Sequence, residues 1–311
     1  PTYLDSDGLA NYFPPHPAAQ PTGSDALTAH LLYAAFEMKK LDPQFVIPAE
    51  TRDRMTTALG NFVEGKIERK FWAPRNDLDV RKIAAINALA VYGKAQPRML
   101  SSVNIAPNDW PTQAVVDWLS ILQTMKDLPN RDKLREEASQ ILRARLSYQG
   151  TKLLLANEQN DYWWWLMHNG DTTLARLMLV VMGDPAWKED LPRMATSFIG
   201  RQKSGAWSTT TANLWGAMAL ERFSRVYESE PVTGSTEASL GGKSASVDWS
   251  KVKKADDAIE LLAQGDKRAI GPTEPLAQWL NNTMDLPWGS GQQSLKVQQK
   301  GTGKPWLTVQ S

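Results

Sequence analysis

The chain has 311 residues, with 35 Lys and Arg against 34 Asp and Glu and a formal net charge of +1. That balance excludes the charge excess typical of nucleic-acid and anionic-membrane binders. Hydrophobic residues make up 42%, enough for a core, and the length suits one large domain or one large and one small.

No apolar run reaches the ~18 residues of a membrane span. Residues 1–15 lack the basic-then-apolar pattern of a signal peptide. Cysteine is absent, which removes disulfides, thiolate metal sites and cysteine nucleophiles from this chain. The histidines are His16, His30 and His168, too few to expect a multi-histidine metal site.

Residues 1–23 are rich in Pro, Gly, Asp and Asn and read as loop; the chain starts without a helix or strand signal, as a fragment would. From Ser24 the dominant period is helical. Ser24 is placed to cap a helix carrying Leu27, Leu31, Ala34, Ala35 and Met38 on one stripe. A second helix is predicted from Ala49 to about Arg69. A third follows Pro74, with Asp77 and Asp79 in its first turn and Gly93 as its stop. A short helix is expected over Pro97 to Val103, and Trp110-Pro111-Thr112 opens another.

Asn130 is read as the cap of a helix running through Leu146 to about Gly150. A helix starting near Asn160 is expected to contain Trp163, Trp164 and Trp165. Asp171 is read as the cap of Leu174 to Met182, and Pro185 as the start of a helix to Ile199. The last helix is predicted from Thr210 to Tyr227. About ten helices with short connections predict successive hairpins, and no tetratricopeptide or ankyrin consensus fits. The expected class is mainly α, an α/α toroid of helical hairpins over 1–227 with a small β portion over 228–311. The Leu174–Met182 stretch is apolar on several sides, as an inner ring helix requires.

Beyond Glu228, Val232 to Leu240 alternates and Gly241-Gly242 signals a turn. Ser294 to Gln298 and Pro305 to Gln310 read as a hairpin turning at Gly301-Thr302-Gly303. Lys251 to Met284 is ambiguous, with Ala255 to Ala263 open to helix or polar connection. So few strands predict a sheet completed by strands from outside this chain.

Several residue groups are candidates for chemistry. Asp5 and Asp7, and Asp77 and Asp79, form Asp-x-Asp pairs of the kind that can hold Mg²⁺. Asp is equally favoured in a Gly-flanked loop and in a helix first turn. Asp117, Glu158 and Asp161 are candidates for paired acid–base work, although sequence does not pair them. Trp163, Trp164 and Trp165 with His168 form a candidate stacking cluster, at the surface or wedged in packing. On an α-helix the three indoles would spread over roughly 200° and would not share one ligand. Lys251, Lys253 and Lys254 read as a solvated turn. Ser24, Ser208 and Thr209 lack an evident histidine partner, so no nucleophile is assigned. No cofactor is expected.

Three helical segments together resemble one family. Gly23-Ser24-Asp25-Ala26-Leu27-Thr28-Ala29-His30-Leu31-Leu32 is similar to the early segment of the thioester-type helical domain of bacterial α2-macroglobulin-like proteins. Trp110 to Leu119 resembles a later helix start in that domain, and Trp207-Ser208-Thr209-Thr210 with the helix to Leu220 resembles its closing helix. Pro231-Val232-Thr233-Gly234, Leu286-Pro287-Trp288 and Gly301 to Gln310 resemble strands that return into the CUB-like β-domain.

The resemblance implies an α/α toroid inserted into a CUB-like domain that is incomplete here. It implies a non-catalytic part of a protease trap, whose bait region is cut and whose domains then move. Partners would be other domains of the parent chain and, through the parent, proteases; neither nucleic acid nor membrane insertion by this segment is implied. Location would be the periplasm, with the parent anchored to the inner membrane. Thioester-bearing members carry a Cys-x-Glu-Gln motif that in the family lies before the point where this chain starts, and the Trp207-Ser208-Thr209-Thr210 segment resembles that of a thioester-less member. The competing readings are a toroid glycosidase or lyase and a peptide- or glycan-binding module.

Overall fold

The computed structural model describes residues 2–16, 20–156, 158–159, 161–252, 282–305, 307 and 309. They divide into two compact units, Pro1–Phe223 and Ser224–Ser311.

The first unit is built on eight α-helices. They are α1 (Asp25–Leu41), α2 (Ala49–Val63), α3 (Leu78–Val91), α4 (Thr112–Thr124), α5 (Arg131–Ala144), α6 (Gly170–Val181), α7 (Asp190–Ile199) and α8 (Thr210–Tyr227). The last turn of α8 lies beyond the unit's boundary. Helix α1 packs on α3, α3 on α4, and α4 on α6. Trp215 of α8 closes the ring. Its indole lies 5.5 Å from the His30 ring and 5.7 Å from the Tyr33 ring of α1, and 4.9 Å from the Arg176 guanidinium of α6. Helices α2, α5 and α7 pack outside this ring, on α1 and α3, on α4, and on α6 respectively. This is the α/α toroid that the helix count predicts.

The two layers differ as their sequences require. In α4 every residue from Thr112 to Leu122 is buried, and in α6 nearly all are. In the charged outer helix α5 only Ala138 and Leu142 are buried. A helix apolar on all sides belongs inside, and one with a narrow apolar stripe belongs outside.

An ion pair crosses the middle of the ring. Arg176 donates to Asp117 Oδ1 at 2.6 Å, and Asn87 of α3 donates to the same oxygen at 3.0 Å. The guanidinium also lies 4.5 Å from the Tyr33 ring, so aromatic faces of α1 and α8 flank it. Tyr33 shares a 3.4 Å hydroxyl contact with Ser120 of α4. Five helices therefore meet at one buried charge pair.

Several elements depart from the expected ones. Helix α2 stops at Val63 rather than Arg69, because Gly65 turns at φ 77° and the amides of Lys66 and Ile67 fold back onto the Asn61 carbonyl. The predicted helix from Asn130 to Gly150 ends at Ala144 and gives way to a hairpin of β1 (Leu146–Gln149) and β2 (Lys152–Leu155), turning at Gly150. Asn130 precedes α5 in a left-handed conformation and makes no side-chain cap.

Asn169, not Asp171, caps α6, accepting from the Thr172 amide at 2.9 Å. The helix expected from Pro185 is split into a 3₁₀ turn at Pro185–Trp187 and α7. Trp163 to Trp165 lie in no α-helix. Trp164–Leu166 form a single 3₁₀ turn inside a strap whose ends, Trp163 and His168, pair as a bridge. The Ser24 cap, the Pro97 turn and α8 stand where predicted.

The second unit holds a three-stranded antiparallel sheet, β3 (Ser235–Leu240), β4 (Lys243–Asp248) and β5 (Lys296–Lys300), in the order β4-β3-β5. Gly241 and Gly242, both at positive φ, form the β3–β4 turn that tight hairpins need. Thr236, Ala238 and Leu240 face inward, and Ser235, Glu237 and Ser239 alternate with them. Within the run at 294–298, β5 pairs with β3, with Ala238 opposite Val297; the expected pairing with 305–310 falls largely outside the described residues. Residues 253–281, which include Lys253, Lys254 and the Ala255–Ala263 stretch, lie outside the described residues, as do 306, 308 and 310.

Asp117→Ala would leave Arg176 buried without its counter-charge and is expected to lower unfolding stability by about 3–5 kcal/mol. Asp117→Asn keeps an acceptor and should lose less. Urea unfolding followed by circular dichroism checks the order of the two variants.

Candidate functional site

Several of the residues that sequence singled out share one hydrogen-bonded network. Asp5 is buried in the N-terminal loop and accepts from the amides of Asp7, Leu9 and Gly23. Arg69 donates to Asp5 at 2.9 Å, to Asp7 at 2.6 Å and to the Gly23 carbonyl. A Cβ on Gly23 would stand 2.4 Å from the Leu9 carbonyl oxygen, so only glycine admits this approach. Arg81 of α3 donates to the Arg69 carbonyl, to Asp25 at 2.8 Å and to Asp77 at 2.9 Å. Asp77 also accepts from the indole nitrogen of Trp165 at 2.9 Å.

The network thus ties the N-terminal loop, the loop 64–77 and the tryptophan strap together. The two Asp-x-Asp pairs are explained by it. Asp5 and Asp7 clamp Arg69, Asp77 holds Arg81 and Trp165, and Asp79 accepts from the Asn104 amide. Among the described residues no group of three or more His, Asp or Glu is placed to hold a metal ion.

Within the strap, Trp163 is buried and stacks on Trp165 with ring centroids 5.1 Å apart. Arg75 covers the other side of the Trp163 system at 5.6 Å. Trp164 stands 55% exposed, edge-on to Trp165. Met167 turns the chain at φ 61°, and His168 enters the interior. Burial and the nearby positive charge of Arg176 hold the His168 imidazole down at about 3 and that of His30 at about 4, so both are neutral at pH 7.

Besides Tyr3, five exposed aromatic side chains come from the three segments that the network joins: Tyr12 and Phe13 in the N-terminal loop, Phe71 and Trp72 in the loop 64–77, and Trp164 in the strap; Phe45, Tyr148, Tyr162 and Trp288 are exposed elsewhere. Phe13 is 81% and Trp72 75% exposed, values unusual for residues that lose most by facing water. The Tyr12 hydroxyl lies 3.9 Å from Met167 Sδ, joining the first and third segments. Sequence reading reached the strap but not the other four aromatics, because an isolated Phe-Trp pair in a loop carries no periodic signal.

The carboxylates considered for acid–base work do not face one another. Asp117 is spent on Arg176, and burial, partly offset by that guanidinium, raises its pKa. Asp161 accepts from the backbone and hydroxyl of Thr112 and so caps α4. Glu158 grips Arg201 in a bidentate pair, and Asp171 accepts from the same guanidinium and from Ser208. Burial would raise Asp171, but the hydrogen bonds from Ser208 and Arg201 outweigh it and hold the group below its usual value. Gly170 is required here, since a Cβ would stand 2.2 Å from Glu158 Oε2. An open cleft of about 780 Å³ lies beside Arg201, Trp207 and Tyr162. The Ser24 and Thr209 hydroxyls serve as helix-end acceptors for the amides of Leu27 and Ala212.

No protein-family model and no curated protein matches the chain. Solved structures share its fold. The native α2-macroglobulin of Escherichia coli, from domain MG7 to the C-terminus, superposes with a TM-score of 0.53 at 13% identity, over 79% of this chain and 35% of that one. The E. coli protein activated by porcine elastase gives 0.50 at 11% identity, over 80% and 21% of the two chains. Salmonella α2-macroglobulin reacted with methylamine gives 0.50 at 14% identity, over 80% and 16%. The chain spans about a third or less of the length of these proteins.

The two buried imidazoles make stability depend on pH. Each has a folded pKa below the unfolded value of about 6.5, so the unfolded chain takes up protons first. Stability is full above about pH 6.5 and falls toward pH 4, by up to about 1.4 kcal/mol per pH unit for each imidazole. His168→Asn and His30→Asn should each flatten this slope, measured as the difference from the parent in urea unfolding at pH 7, 6 and 5.

Proposed function

We propose that the chain is a non-catalytic docking portion of a bacterial α2-macroglobulin-like protease trap, with residues 228–311 as its CUB-like portion. The observation that carries this reading is the networked part of the toroid. Its loops are fixed by buried arginine clamps, yet five large aromatic side chains on them face outward. A solvent-facing loop built this rigidly is suited to meeting a preformed surface. Tyr, Trp and Phe are the residue types that concentrate binding energy in such contacts.

The shared fold with α2-macroglobulin, including an elastase-activated form, supports the same reading. The commitment of Asp117, Asp161, Glu158 and Asp171 to internal partners weighs against a toroid hydrolase built on them. The partners are other domains of the parent polypeptide and, through the parent, the captured protease. The cysteine-free chain supplies no thioester itself, and its part in capture is to move as a rigid body when the bait is cut. We place the parent in the periplasm, anchored to the inner membrane.

In the full-length parent, a sub-stoichiometric protease should lose its activity on a large protein substrate while keeping it on a small peptide, with or without methylamine. Trp72→Ser with Phe13→Ser should reduce that protection at least tenfold, while circular dichroism and thermal unfolding of the chain stay unchanged. Equal cleavage of both substrates by the unmodified parent would overturn the trap reading. Unaltered protection in the double variant would remove these aromatics from it.

A further inference from the structure

A cavity of about 30 Å³ lies between α1, α3, α6 and the tryptophan strap. Its lining includes His30, Tyr33, Arg81, His168, Thr172 and Arg176. Three fully buried polar atoms of these residues have no partner among the described residues: His168 Nδ1, Thr172 Oγ1 and Arg176 Nε. Leaving a buried polar atom unpaired costs about 1–3 kcal/mol, and three such atoms around one cavity concentrate that cost.

The donor and acceptor inventory restricts what fits. Arg176 Nε only donates, the Thr172 hydroxyl donates or accepts, and His168 Nδ1 does either according to tautomer. The occupant must therefore accept from Arg176 and be able to exchange hydrogen bonds with the other two. Its size is limited to one or two small molecules, since a water needs roughly 10–15 Å³ of such space.

Charge decides between a neutral occupant and an anion. Arg176 is opposed by Asp117, and Arg81 by both Asp25 and Asp77. The imidazoles of His30 and His168 are uncharged, and Tyr33, pushed up to about 12 chiefly by burial, stays protonated. No unbalanced positive charge lines the cavity, so the neutral occupant is favoured.

We infer that this cavity is a binding site for one or two water molecules that bridge His168 Nδ1, Thr172 Oγ1 and Arg176 Nε. The water joins the strap to the toroid interior and extends the Asp117–Arg176 pair to the foot of the tryptophan cluster. The strap is then seated on α6 partly through exchangeable water, while Trp165 is held directly by Asp77.

The test is a crystal structure of the full 311-residue chain at a resolution that shows ordered water, with a parallel bromide soak. The expected result is a water peak within about 3.2 Å of Arg176 Nε and of at least one of the other two atoms, with no anomalous bromide peak there. In solution, the Thr172 methyl group should show a nuclear Overhauser contact to a long-lived water. A dry cavity, a bromide peak in it, or the absence of the long-lived water would each overturn the inference. None of these readouts depends on protease trapping.

Discussion

The toroid depends on one buried charge pair. Asp117 on α4 and Arg176 on α6 meet where the inner helices converge, and neither is acceptable there without the other. Hydrophobic burial alone would leave these helices free to meet in several rotations, because α4 and α6 are buried on all sides. The pair removes that freedom. Arg176 must point at Asp117, and Asn87 must donate to the same oxygen. Tyr33 and Trp215 must present their faces to the guanidinium. Rotating α6 by one residue would break all of these at once. A pair of this kind fixes register more than it adds stability, and in a ring register error at one helix propagates to its neighbours.

The same chemistry repeats at the edges. Arg69, Arg81, Arg145 and Arg201 each join segments distant in sequence, and each does so through carboxylates or backbone carbonyls. A planar guanidinium with five donors can satisfy several loop acceptors at one point, which a lysine cannot. Arg145 shows the economy of this. It donates to the carbonyls of Pro107, Asn108 and Trp110, and so holds the approach to α4. Burial pulls its pKa down, partly offset by the charge of Asp161, yet at neutral pH the group remains a cation. Of the acidic residues that look like metal ligands or catalytic groups in the sequence, Asp5, Asp7, Asp77 and Glu158 are complements of these arginines, and Asp117 is the complement of Arg176.

This explains what was and was not legible in the sequence. Helix periods, the Ser24 cap, the Pro111 start and the Gly241-Gly242 turn are local signals, and the structure uses them locally. The misread segments are those where a distant partner overrides the local pattern. The β1–β2 hairpin follows a helical stretch without a break in composition. It is held from outside, where the Leu153 amide meets the Ser197 hydroxyl and Tyr148 meets Asp190. Asp171 looks like a cap, yet Arg201 and Ser208 claim its carboxylate, leaving Asn169 to cap α6. Three consecutive tryptophans suit a buried helix by composition. The indole nitrogen of Trp165 reaching Asp77 is a contact across 88 positions, and no window-based reading contains it.

The strap is where interior and surface meet. One end is committed to the core, with His168 buried in the region of Arg176. The other presents Trp164 to solvent beside the exposed aromatics of two further loops. In its middle Trp165 donates to Asp77, and ring stacking adds to that hold. A partner that covers Trp164 therefore acts on a segment whose far end is coupled to the ion pair on which the ring depends. Guanidinium clamps hold the two loops beside the strap, while ring stacking and the Trp165–Asp77 hydrogen bond hold the strap between them, so the exposed aromatics are presented on a fixed frame.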